Sequence, residues 1–145
     1  MSSLKNIIRL QKQQLDEKRR NLAELQNLSD RLKAELERLK EEVAAEQAAA
    51  RDNPEFAFSY TNFAKAAMER GKRLTLSMGQ VDIQIAVATD QMAEAFQELK
   101  RYELAEEERL KREKEKLKRK QAEMLDETAL VGFRRRQAEE SAAES

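Results

Sequence analysis

Two acidic clusters, Glu41-Glu42 and Glu106-Glu107-Glu108, are the residues whose type could support acid–base or metal chemistry. Either job needs carboxylates that converge on one point. Adjacent residues on a helix point about 100° apart, so neighbouring glutamates diverge and read as a solvated face. The chain has no His and no Cys. That removes the usual general base, the thiolate nucleophile, the disulfide and the commonest soft metal ligands. Gly71-Lys72 lacks the upstream glycine of a phosphate-binding loop. These absences argue against an enzyme, and no cofactor is expected.

Residues that could bind partners are more prominent. Phe56, Phe58, Tyr60 and Phe63 place four of the seven aromatics within eight residues. A basic set comprises Lys5, Arg9, Lys18, Arg19 and Arg20 near the N-terminus. Further along, Arg109, Lys111, Arg112 and Lys116 lie in the run RLKREKEKLKRK, which holds eight basic and two acidic residues. Such a run suits an acidic protein surface, in a contact that salt would screen. Lys plus Arg equals Asp plus Glu, 28 of each. A general nucleic-acid binder would show a basic excess, so nucleic acid is not an expected partner.

The elements that must position these groups follow from the apolar spacing. Leu4, Leu25, Leu32 and Leu39 fall at d of a heptad, and Ile8, Leu15, Leu22, Leu36 and Val43 at a. Those nine large aliphatics fill nine of the fourteen seam positions from Leu4 to Ala50, and the register holds without a slip, as a sustained coiled coil requires. Gln11, Lys18 and Ser29 are polar seam positions that cost stability and fix register. Charged residues make up 39% of the chain, against three Gly and one Pro, which favours long helices over a compact core. No stretch is apolar enough to cross a membrane, and no secretion signal is expected at the N-terminus.

Pro54 marks the break. Asp52-Asn53-Pro54 predicts that helix one (about 4–51) ends there, because the residue before proline avoids the helical conformation. Helix two starts either at Pro54 or near Thr61, with the turn within about 52–60. A second seam uses Ala67, Leu74, Val81, Ala88, Ala95 and Tyr102 at d, with Gly71, Met78, Ile85, Met92 and Leu99 at a. Past Tyr102 the next seam positions are Glu106 and Arg109, so the register is expected to fail. A four-residue stutter would carry the stripe to Leu110, Leu117, Met124 and Val131. Gly71, at the seam, suits close helix approach, whereas Gly79 faces outward. Gly132 followed by Phe133 and three arginines reads as a helix stop. Helix two is expected to reach about 138, with 139–145 as a frayed tail.

A short turn forces two helices antiparallel. The fold class is therefore all-α, a long antiparallel two-helix coiled-coil hairpin with helix two the longer, forming a single domain over 1–138. Folding at 52–53 sets Leu39 near residue 67 and Leu22 near residue 84.

With the hairpin assembled, the sequence resembles the flagellar export protein family FliJ, especially its α-proteobacterial branch. The resemblance rests on LKNIIRLQKQQLDEKRRNL (4–22), FAFSYTNFAKAAMERGKRL (56–74) and AFQELKRYELAEEERLKREKEK (95–116). It implies a cytoplasmic component of the flagellar type III export apparatus, peripherally associated with the inner membrane and needed for motility. It further implies a stalk that enters the hexameric export ATPase, contacts the export-gate membrane protein and escorts export chaperones. On that resemblance the basic residues would face the ATPase and the aromatic tip the gate, and the free chain would be a monomer. The competing reading is a general coiled-coil scaffold or adaptor with no ATPase link, for which self-association would be the sign.

Overall fold

Pro54 organises the turn. Asn53, just before it, is extended, with φ −130° and ψ 98°, as the ring of the following proline demands. The structure, a computed structural model, describes residues 2–144. Helix α1 spans Ser2–Asp52, a single 3-10 turn covers Pro54–Phe56, and helix α2 spans Ala57–Glu144. The Asn53 N–H closes the last turn of α1 on the Ala49 carbonyl at 3.1 Å, and the Phe56 N–H reaches the Asn53 carbonyl at 3.0 Å. Asn53 thus serves both α1 and the 3-10 turn through its backbone, and its side chain makes no capping bond. Helical conformation resumes at Pro54, so the start near Thr61 is not adopted.

The two helices pack on each other as an all-α hairpin, α2 being the longer. The chain divides into two compact units. One is Arg9–Leu99. The other joins the described parts of Met1–Ile8 and Lys100–Ser145.

The core of the Arg9–Leu99 unit is a line. Its buried apolar residues are Leu15, Leu39, Ala67, Leu74, Val81, Ala88 and Leu99, every one a seam residue. Leu39, Ala67 and Leu74 form its densest cluster, with Leu32, Leu36, Val43 and Phe63 packed around it. Leu39 meets Ala67 as the fold point requires. Leu22, Leu25, Met78, Ile85 and Met92 are half-buried along the same stripe. Such a line forms because a 3.5-residue repeat keeps one narrow face toward the partner helix. Small residues help: Ser29 is buried in the seam, and Gly71 lies beside Leu39. A Cβ built on Gly71 would meet Leu39 Cδ2 at 3.7 Å, an ordinary contact. The close approach there leaves room for a methyl group.

In the other unit, Ile8 and Tyr102 are half-buried, and two expectations are corrected. The register does not stutter to Leu110. Glu106 and Arg109 keep the seam positions, Glu106 only 9% exposed and Arg109 half-buried. Leu110, Leu117, Met124 and Val131 stay exposed. The physical reason is that Arg109 neutralises Glu106, which lets a carboxylate occupy a seam site. Gly132 is not a stop either. No glycine among the described residues has positive φ, so the left-handed cap that would end the helix is absent, and α2 continues to Glu144.

The threonines of α2 fit because each hydroxyl bonds back one turn. Thr61, Thr75, Thr89 and Thr128 donate to the carbonyls of Ala57, Gly71, Ile85 and Met124 at 2.8–3.1 Å. The helix thereby absorbs polar groups that would otherwise compete with its ladder.

Candidate functional site

The aromatic tip splits in two. Phe63 is half-buried and packs against the Leu39–Ala67–Leu74 cluster. Tyr60 is half-buried and borders an apolar groove with Leu36, Val43, Ala64, Met68 and Gly71. Phe56 and Phe58 face solvent, Phe58 80% exposed. The start of α2 at Ala57 causes this division. It sets Tyr60, Phe63 and Ala67 on the seam side by 3–4 spacing and turns Phe58 away. Two rings therefore hold the end of the stem, and two are available for contact.

The basic residues are distributed over both units. Arg9, Lys18, Arg19 and Arg20 belong to the Arg9–Leu99 unit. Lys18 is half-buried at its seam position, and Arg19 pairs loosely with Asp16 at 3.8 Å. Lys5, Arg109, Lys111, Arg112 and Lys116 belong to the other. Arg109 is occupied. Its Nε and Nη2 donate to the two carboxylate oxygens of Glu106 at 3.1 and 2.8 Å, and its Nη1 donates to Glu113 Oε1 at 2.7 Å. Arg112 donates to Glu108 at 2.9 Å. Lys111 and Lys116 are exposed and make no ion pair among the described residues. Within the run, Lys111 and Lys116 are therefore more available than Arg109 and Arg112.

Among the described residues Glu106 is the acid whose carboxyl is clearly shifted. The Arg109 hydrogen bonds hold its carboxyl below the usual range; burial opposes them, while the charges of Arg109 and nearby Lys5 add to the lowering. Arg109 is raised in turn by Glu106. The pair is a charged layer within a seam, a structural task rather than a catalytic one. Among the described residues no three Asp or Glu side chains converge as metal ligands. The carboxylates of Glu107 and Glu108 are exposed, as the divergence of neighbours on a helix requires.

Sequence reasoning missed a feature on the outward face of α2. Leu76 and Ile83 are largely exposed there, with Gly79 between them and Ala86 following. The signal was present as a second 3–4 repeat running opposite the seam.

The described residues form a helical hairpin whose core is one stripe and which exposes aromatic rings and lysines. The chain belongs to the FliJ family: the flagellar FliJ protein family matches residues 1–138. It is thus a component of flagellar protein export, in a family of export components and not of enzymes. No curated protein and no solved structure matches the chain. No helix among the described residues is long and apolar enough to cross a membrane.

Proposed function

We propose that this chain is the coiled-coil stalk of the flagellar export ATPase, linking the ATPase hexamer to the export-gate membrane protein and to export chaperones on the cytoplasmic side of the membrane. The observation that supports it most is the division of labour on its surface. Apolar burial is spent along one stripe between the helices, while Phe56 and Phe58 at the turn and the lysines of 109–120 remain outside. A stalk inside a ring of identical subunits needs an exterior rich in charge, and 39% of this chain is charged, with Leu76, Ile83 and several leucines of 104–130 exposed among those charges. In this reading Lys5, Arg9, Lys18, Arg19, Arg20 and the 109–120 run meet acidic surfaces of the ATPase, and the aromatic tip meets the gate.

The test is reconstitution. The purified chain should co-assemble with the flagellar ATPase at low salt and raise its hydrolysis rate. Full-strength ATPase with no association, both proteins being folded, would leave the scaffold or adaptor reading in its place.

A further inference from the structure

The outward face of α2 carries a second heptad seam that α1 does not cover. Its positions are 69, 72, 76, 79, 83, 86, 90 and 93, spaced alternately three and four residues apart, and all are exposed. The centre is apolar: Leu76, Gly79, Ile83 and Ala86, with Ile83 68% exposed. A Cβ at Gly79 would meet nothing within 4 Å, so this glycine, costly in a helix interior, has no packing reason inside the hairpin.

We propose that this face pairs with the same face of a second copy, antiparallel, about a two-fold axis near Val81. The argument is self-complementarity. In that register Ile83 of one copy lies opposite Gly79 of the other, and Leu76 opposite Ala86. Lys72 lies opposite Asp90. Each layer occurs twice, as a two-fold interface requires. Large residues fill the space that small ones leave, the Lys72–Asp90 layers pair opposite charges, and Glu69 lies opposite Ala93 at each end. A parallel pairing would instead set Lys72 against Lys72 and Ile83 against Ile83. A shift of one heptad either way separates Lys72 from Asp90. The exposed stripe through Leu117 lacks this property: folding it antiparallel on itself about Leu117 sets Lys114 against Lys120 and Lys116 against Lys118.

The seam covers about 25 residues, roughly 37 Å of helix. Such a contact buries on the order of 1,000 Å², the low end for specific association, so the dimer is weak and reversible. It does not depend on the stalk reading: a weak dimer populated only at high concentration leaves the monomer that reading expects at low concentration, whereas the scaffold reading calls for self-association that persists on dilution.

Sedimentation equilibrium of the full chain over a wide concentration range tests it. The expected result is a reversible monomer–dimer equilibrium. Ile83→Lys should weaken it at least tenfold with unchanged helicity by circular dichroism. K72E and D90K should each weaken self-association, and an equimolar mixture of the two should restore pairing, because the mixed dimer has opposite charges in both 72–90 layers. A chain that stays monomeric at every concentration would overturn the proposal. So would a dimer indifferent to Ile83→Lys, or a mixture of K72E and D90K that pairs no better than either alone. A monomer that loses another protein on Ile83→Lys would assign the face to that protein instead.

Discussion

Arg109 grips Glu106 with a two-pronged hydrogen bond, Nη2 to Oε1 at 2.8 Å and Nε to Oε2 at 3.1 Å, one turn apart on α2. The fork geometry of the guanidinium matches a carboxylate, which makes this the strongest form of side-chain pair. It allows a charge to occupy a site that the heptad reserves for an apolar residue.

Acid should loosen that layer. The Glu106 carboxyl is held below its ordinary value of 4.5, first by the Arg109 hydrogen bonds. A depressed folded pKa means stabilisation that is present above the ordinary value and lost as pH falls through the folded one. Thermal melts of wild type should therefore decline below the ordinary carboxylate range more steeply than those of Glu106→Gln. Arg109→Leu alone, which strands the carboxylate, should be worse than the double change Glu106→Leu with Arg109→Leu. Equal acid slopes for wild type and Glu106→Gln would remove the layer's role.

The helix glycines give a stability prediction. Gly79→Ala meets nothing within 4 Å, and Gly71→Ala meets only Leu39 Cδ2 at 3.7 Å. Each should stabilise the hairpin by up to about 1 kcal/mol, since alanine is the better helix former. Urea unfolding at low concentration, where no dimer contributes, is the measurement. Loss of stability in Gly71→Ala would show that the helices approach there too closely for a methyl group.

Much of this fold was legible because a seam is a local, repeated signal. Leu4 to Val43 reads as a stripe without knowledge of its partner, and Pro54 dates the turn, so the contact of Leu39 with Ala67 follows. The Glu106 layer was not legible in that way. A glutamate at a seam position reads as a break until its partner three residues on is recognised as Arg109, and that depends on side-chain geometry. The tip aromatics were legible as a cluster but not as a split one, because which rings turn inward depends on where α2 begins. Gly132 misled for a related reason: glycine permits a helix stop but does not impose one.

The split tip separates stability from contact. Phe63→Ala removes a ring packed on the core cluster and should cost about 2 kcal/mol, less than a fully buried phenylalanine. Phe56→Ala with Phe58→Ala removes exposed rings and should change the melting midpoint little; if the tip meets the export gate as proposed, it should weaken that contact. Circular dichroism and a pull-down on the same variants distinguish the two. A collapse of melting in the Phe56, Phe58 double variant would make those rings structural.

Charge reversal in the basic run tests the ATPase contact, and the ion pairs decide where to place it. Arg109 and Arg112 are engaged by Glu106, Glu113 and Glu108, so reversing them would disturb the helix as well as any partner. Lys111 and Lys116 are exposed without an ion pair, and exposed helix charges contribute only a few tenths of a kcal/mol to folding. Lys111→Glu with Lys116→Glu should therefore leave the melt nearly unchanged. If these lysines meet acidic ATPase surfaces, the double variant should bind the ATPase about tenfold more weakly at low salt, and the gap from wild type should narrow as salt screens both. Binding equal to wild type at low salt would take the 109–120 run out of the interface and leave Lys5, Arg9, Lys18, Arg19 and Arg20 as the basic residues still to be tried.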